Sequence, residues 1–292
     1  MKLASFDDRR IGVVEGDTIV DVTAVAGVDS AAWPPTGMVE LIANIERLKP
    51  AILAHLDTAP RIPLEAVRLR TPIEWPNKVI AYPSNFHAHI EEMKSRNGAV
   101  STFGAAGQGF FLKPSSSLSG PGDPIVLPAV PGREIHHECE LAIVIGRGGR
   151  DISREDALDH IFGYSCLVDV VIRGKEERVM RKAFDSFCPV GPWITTVDEA
   201  PAHDAIEMQL SINGELRQHA AMTQLIVDIP EMIAMASSVT TLEPGDIIAS
   251  GTPAGVGPIA DGDRLHIAIP GVGEMNLDVR QGDGGWHKVW DK

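Results

Sequence analysis

Residues 136–146 read His-His-Glu-Cys-Glu-Leu-Ala-Ile-Val-Ile-Gly. Cys139 to Ile145 has the composition of a buried strand. Side chains alternate faces along a strand, so Glu138 and Glu140 share one face while Cys139, Leu141, Ile143 and Ile145 fill the other. Two carboxylates entering a strand that otherwise buries itself repel each other and lose hydration, so something must neutralise them. A divalent cation does so directly, and all-carboxylate ligation selects hard ions such as Mg²⁺, Mn²⁺ or Ca²⁺. Taken alone, the stretch also fits a strand end with two solvated Glu.

Three other stretches bear on that choice. Asp169 lies in Ser165-Cys-Leu-Val-Asp-Val-Val-Ile172, an apolar run read as one strand. An Asp in such a run is rarely buried unless paired or metal-bound. It either completes a three-carboxylate Mg²⁺ site with open positions for water and substrate, or pairs with Arg173. His89 and Glu92 stand three residues apart in a segment, His87 to Lys94, that reads as helix, and are neighbours on its surface. A carboxylate beside an imidazole orients it and raises its basicity, as in a general base, although exposed helices carry such pairs too. Finally, Ile248-Ala-Ser-Gly-Thr-Pro-Ala-Gly-Val-Gly257 is a glycine-rich loop after a strand. It lacks the Lys-Ser/Thr of a phosphate loop. Its backbone N–H groups suit a carboxylate or a developing oxyanion, or simply make a tight turn.

Composition narrows the field. Forty acidic against 26 basic residues give a net charge of −14, which argues against nucleic-acid binding. A 44% hydrophobic fraction is too high for a disordered chain. No apolar run approaches the ~20 residues of a membrane span, and MKLASFDDRR has no signal-peptide core. Three cysteines, Cys139, Cys166 and Cys188, sit in mostly apolar settings, so no disulfide framework and a reducing cytoplasm are expected. Cys188 has no paired base nearby and reads as a packed thiol.

With 28 Gly and 21 Pro, the chain exceeds the roughly 12% combined share of average proteins, pointing to many turns and short strands. Ile11–Val14 and Thr18–Val22 form a hairpin about Gly16-Asp17. Residues 37–57 read as helix, broken at Pro50. A Pro-rich connector follows to Pro76, placing a boundary near residue 75 between a small N-terminal α+β domain (1–75) and a larger one (76–292). Residues 95–109, Gly- and Ala-rich without apolar periodicity, read as a functional lid or a disordered loop. Ser153 caps a helix ending at Gly163. Asn213-Gly214 turns a hairpin, and Pro230 to Val239 is helical. The class is α+β, rich in β.

The four chemistry-bearing stretches occur in a familiar order. Asn85–Glu92, Glu138–Gly146, Asp169–Arg173, Lys182–Asp185, Asn213–Gln218 and Leu242–Gly257 follow the motifs Asn-Tyr-x-x-His-x-x-Glu, Glu-x-Glu-Leu-x-x-Val-Ile-Gly, Asp-x-x-x-Arg, Lys-x-x-Asp, Asn-Gly-Glu-x-x-Gln and Leu-x-x-Gly-Asp-x-Ile-x-x-Gly-Thr-Pro-x-Gly-Val-Gly. From about residue 78 to 280 the chain resembles the fumarylacetoacetate hydrolase superfamily. The resemblance implies a mixed β-sandwich roll of the C-terminal-domain type, and a homodimer. It implies Mg²⁺ or Mn²⁺ on Glu138, Glu140 and Asp169, with Ca²⁺ as a structural substitute. It implies that His89 and Glu92 activate water and that Lys182 lies near metal and substrate. It places Arg173 and Thr252 on the substrate, with Phe86 and Gly251 beside them. The implied reaction is C–C hydrolysis of a 2,4-dioxo acid of the acylpyruvate or fumarylpyruvate type. The alternative on the same site is oxaloacetate decarboxylation or 2-oxo/enol isomerisation.

The sequence departs from the pattern at Phe86 (family Tyr), Val171 (a hydroxyl), Gly174 (an acid) and Glu176 (Gln). Glu176 is expected to face Arg173 or Lys175. Two rival readings use the same residues. One takes His136, His137 and Cys139 as ligands of Zn²⁺ or Fe²⁺, although His137 and Cys139 face away from His136 while the strand stays regular. The other is a binding protein whose carboxylates hold structural Ca²⁺.

Overall fold

The structure is a computed structural model that describes residues 1–97 and 104–291. Its backbone is a twelve-stranded sheet ordered Ile62–Pro63, Thr18–Asp21, Arg10–Glu15, Lys2–Phe6, Cys188–Thr196, Ile161–Val168, Cys139–Ile145, Ile247–Ala249, Val79–Ala81, Phe111–Lys113, with two short strands off this path. A five-stranded sheet, Glu215–Ala221, Glu207–Ile212, Arg264–Ile269, Gly273–Gln281 and Ile125–Leu127, packs over one face. A three-stranded sheet, in which Ile135–His137 pairs with Val171–Ile172 and Gly257–Pro258, closes one end. The mixed, β-rich α+β sandwich expected from the sequence is present.

Cys139–Ile145 is buried along its whole length because both faces are covered. Cys139, Leu141, Ile143 and Ile145 join the core shared with the five-stranded sheet. Ala142 and Val144 join a second core with Leu3, Val13, Leu41 and Ile52. The N-terminal segment thus extends the same sheet, Lys2–Phe6 pairing antiparallel with Cys188–Thr196, and its helices cover the second face.

Local expectations fare unevenly. The first hairpin turns at Gly16, with φ +60°, and the later one at Asn213 (φ 52°) and Gly214 (φ 84°). The helix over residues 37–57 breaks at Asn44 instead of Pro50, giving Gly37–Ala43 and Ile45–Leu56. Asn44 accepts from Arg47 and Leu48 N–H groups, while Pro50 forfeits one helical donor within the second helix. The Ser153 cap starts only a short turn, with 3-10 residues Ala157–His160. The chain then becomes strand at Ile161 because pairing with both neighbours claims its backbone. Gly163, expected to end the helix, sits inside that strand, where a Cβ would lie 2.3 Å from the Thr195 carbonyl. Of the expected lid over 95–109, residues 98–103 lie outside the described residues; its start belongs to the helix His87–Asn97 and its C-terminal part is the short helix Ala105–Gln108. No helix among the described residues is long and apolar enough to cross a membrane.

Candidate active site

The antiparallel register builds the acidic cluster. Cys139 pairs with Val168 and Glu140 with Leu167, so the next pair outward is Glu138 with Asp169, whose N–H donates to the Glu138 carbonyl at 2.8 Å. Asp169 lies between Ile161–Val168 and Val171–Ile172, not within one continuous strand. Its departure from the ladder turns its carboxylate towards the two glutamates. One oxygen from each of Glu138, Glu140 and Asp169 lies within 4.8 Å of the others, all three residues being buried.

Three cations meet these carboxylates. Lys182 Nζ donates to Glu138 Oε2 at 2.6 Å and Asp169 Oδ2 at 2.5 Å. Lys113 Nζ donates to Asp169 Oδ1 at 2.6 Å and to the carbonyls of Lys182 and Phe187. Arg173 donates to Glu138 Oε1 at 3.3 Å and, through Nε, to His136 Nδ1 at 2.9 Å. Burial works to raise Glu138, but the Lys182 and Arg173 charges outweigh it and hold this carboxyl well below its usual range. Burial pushes Glu140 well up, and the Asp169 charge adds to it. Among the described residues its one hydrogen bond is from the Gly251 N–H, 2.8 Å. Burial works against charge on Lys182, yet the Asp169, Glu138 and Glu140 charges raise it, so it remains an ammonium.

This donor set fits a hard divalent cation. It is all carboxylate oxygen, it is close-set, and Glu140 is buried against like charge with little to offset it. It does not fit the His136, His137 and Cys139 reading. Burial, then Arg173, lowers His136, whose Nε2 faces Glu134 at 2.9 Å. His137 points to the opposite side, where Nδ1–H donates to Gln218 Oε1 at 3.0 Å; burial lowers its pKa to about 4. Cys139 is buried in the core with its pKa pushed well up by burial. Cys188 is a packed thiol, raised to about 12 by burial.

A cavity of about 630 Å³ opens over the cluster, lined among others by His89, Glu138, Glu140, Asp169, Arg173, Lys182 and Thr252. His89 is buried, its Nδ1 3.5 Å from Glu92 Oε2. That is loose for a hydrogen bond, as contacts of this kind often are before substrate binds. The glycine-rich loop does bind carboxylates, but the protein's own. Gly251 N–H holds Glu140, and Gly255 N–H reaches both oxygens of Glu92 at 3.2 and 3.1 Å. At Gly251 φ is +86° and a Cβ would lie 2.7 Å from Asn85 Cβ, so the close approach requires glycine. Phe86 does not line the cavity; lacking a hydroxyl, its ring packs in the core at 2% exposure. Glu176 faces neither Arg173 nor Lys175. It forms a bidentate pair with Arg133, at 3.1 and 2.7 Å. Gly174 is confined by the same pair, since a Cβ there would meet Arg133 Nη2 at 1.6 Å.

Two participants were not assigned from sequence. Lys113 stands in Phe-Leu-Lys-Pro without a recognisable pattern, and its partner Asp169 is 56 residues away. Gln218 closes the Asn213–Gln218 motif, but its role emerges only from geometry. Its Nε2 donates to Thr252 Oγ1 at 2.8 Å, and its Oε1 accepts from His137 and from the Cys139 N–H. With that oxygen accepting, the Thr252 hydroxyl proton is directed elsewhere, and Thr252 lines the cavity.

The comparisons with known proteins agree with this arrangement. The model of the fumarylacetoacetate hydrolase C-terminal domain matches residues 78–280. A maleylpyruvate hydrolase of Aquipseudomonas alcaligenes is 41% identical over 286 residues, 96% of this chain and 99% of that one. The crystal structure of maleylpyruvate hydrolase from Sphingobium sp. SYK-6, in complex with manganese(II) ion and pyruvate, is 55% identical. It superposes with a TM-score of 0.88 over 97% of this chain and 100% of that one. The mitochondrial oxaloacetate tautomerase of Mus musculus is 33% identical over 218 residues, 72% of this chain and 95% of that one. By its motifs, its acidic triad and these matches, the chain belongs to the fumarylacetoacetate hydrolase family.

Proposed function

We propose that the chain is a divalent-metal-dependent hydrolase that cleaves the C–C bond of a 2,4-dioxo acid of the maleylpyruvate or fumarylpyruvate type, releasing pyruvate. The observation that carries the reading is the convergence of the carboxylate triad, the His89–Glu92 pair and Thr252 on one cavity. Its close relationship to two maleylpyruvate hydrolases supports the substrate class. Glu138, Glu140 and Asp169 would hold Mg²⁺ or Mn²⁺, with Ca²⁺ a structural substitute. When bound, such an ion supplies Lewis-acid polarisation of the substrate's 2-oxo group and stabilises developing enolate charge.

The chain's own residues do the rest. The Thr252 hydroxyl, fixed by Gln218, donates to the substrate carboxylate. His89, oriented by Glu92, takes a proton from water at its other ring nitrogen, and the resulting hydroxide adds to the C4 carbonyl. The C3–C4 bond then breaks, its electron pair passing to C3 to give the pyruvate enolate. That enolate takes a proton at C3, and the acyl half leaves as a carboxylic acid. The Lys182 ammonium offsets charge building up in the cavity. Three carboxylates already meet Lys113, Lys182 and Arg173, so an added divalent cation favours an anionic substrate. A homodimer in the cytoplasm completes the proposal.

Incubation with maleylpyruvate should yield one pyruvate and one maleate per substrate consumed. His89→Ala should lower kcat about 10²-fold or more while metal binding persists. Full turnover in that variant removes His89 from the mechanism. The tautomerase alternative, favoured by the 33% identical relative, predicts keto–enol exchange of oxaloacetate and no pyruvate from maleylpyruvate.

A further inference from the structure

Beyond the triad, the cavity wall carries three arginines, Arg173, Arg178 and Arg181. They are not equivalent. Arg173 has a carboxylate partner in Glu138, at 3.3 Å. Arg178 Nη2 donates to the neutral amide of Gln108, at 2.7 Å. Arg181 donates to the carbonyls of Glu176 and Ile172, at 2.9 and 3.3 Å. Among the described residues neither of the last two has a carboxylate within ion-pair distance. Of the two acids just before them, Glu176 is taken by Arg133, and Glu177 is exposed and pairs with neither arginine. Half-buried guanidiniums stay charged and are costly without a counter-ion. Burial, and then the Arg173 and Arg178 charges, lower the Arg181 pKa against the opposing pull of Glu138 and Glu176.

The cluster also shares its cavity with the reacting end. Arg178 and Lys182 both stand over the Phe111 ring, their charged groups 5.4 and 5.6 Å from its centre. Lys182 in turn touches two of the triad carboxylates. The triad, Phe111, Arg178 and Arg181 line one cavity, so a ligand with one end at the triad can present its other end to the two arginines. The aromatic face suits an unsaturated, planar spacer.

We propose that Arg178 and Arg181 form the subsite that holds the distal carboxylate of the maleylpyruvate-type diacid, and so set its preference over an acylpyruvate that ends in an alkyl group. This rests on the proposed hydrolytic reading for its chemistry, but its binding claim can be tested apart from it. The guanidinium fork matches a carboxylate bidentately, and the two arginines fix which end of the diacid enters first.

Two measurements on the Mn²⁺-loaded protein decide the matter. In the first, Arg178→Met, Arg181→Met and the corresponding Lys variants are assayed on maleylpyruvate and on acetylpyruvate, which ends in a methyl group. The diacid-to-monoacid preference in kcat/KM should fall about tenfold or more in each Met variant and recover in part in the Lys variants. Equal losses on both substrates, or no loss on either, would overturn the subsite. In the second, calorimetry compares 2-oxoadipate with 2-oxohexanoate, neither of which has a 4-oxo group to be attacked. The parent should bind the diacid about tenfold more tightly, and Arg181→Met should abolish the difference. Equal affinities in the parent defeat the subsite even if hydrolysis is observed. A preserved preference without pyruvate release from any dioxo acid defeats the hydrolytic reading and leaves the subsite standing.

Discussion

Gln218 donates to Thr252 and accepts from His137 and Cys139 at once, all of them buried. Gln218→Ala should free the Thr252 rotor and raise KM for the dioxo acid about tenfold, with a smaller change in kcat, because Thr252 acts on binding. The orphaned His137 and Cys139 donors should cost about 1–3 kcal/mol of stability, read by denaturant unfolding. Glu176 gives the matching test in pH. Hydrogen bonding from Arg133 holds its carboxyl at about 2, below the ordinary carboxylate range. A lowered folded-state pKa means that the pair's contribution is complete above the unfolded-state value of about 4.5 and is lost as pH falls towards 2. Glu176→Gln should therefore lower stability at pH 6 by up to about 1 kcal/mol, and the gap should be visibly narrower at pH 3. Residues differ in how legible they were. Glu138, Glu140 and Asp169 stood out because a carboxylate is costly in an apolar strand. Lys113 and Gln218 did not, because a lone Lys or Gln has no such contrast and acts only through partners distant in sequence.

Elements were legible where a local signal and the sheet agreed. The alternation around Asn213-Gly214 and the apolar run Cys139–Ile145 both became strands as expected. Where the two competed, the sheet won. The Ser153 cap is made, with Asp156 N–H donating to Ser153 Oγ at 3.2 Å, yet the helix stops within a turn because Ile161–Val168 is paired on both sides. Pro50 sits inside a helix because one missing bond is outweighed by the buried face of Leu48, Ile52 and Leu56. At Gly163 the neighbouring strand comes so close that Gly163→Ala must push a Cβ against the Thr195 carbonyl, 2.3 Å away. We expect a cost of about 1–3 kcal/mol, measured as a lower denaturation midpoint. Since this strand leads to Asp169, weaker metal binding should accompany it. An alanine variant of undiminished stability would show that the strands can part without cost.

At the scale of the whole molecule, the sheet runs from Ile62–Pro63 through to Phe111–Lys113 across the boundary expected near residue 75. Pairing between Lys2–Phe6 and Cys188–Thr196 joins residues that no local pattern could connect. That continuity buries Cys139–Ile145 and Ile161–Val168 on both faces and so fixes the ends at which the triad assembles. The overall charge of −14 repels the anionic substrate, so attraction must be local, from the bound cation, Lys182 and the arginines of the cavity. Activity should accordingly depend on the metal more steeply than stability does. The most direct test is a metal titration of pyruvate release from maleylpyruvate. The protein is stripped with EDTA, dialysed, and reloaded with Mn²⁺ or Mg²⁺ up to one equivalent and beyond. The account predicts negligible pyruvate from the stripped protein, recovery that saturates near one ion per chain, and no recovery in Glu140→Gln. Turnover that survives stripping, or that returns in full in Glu140→Gln, would contradict it.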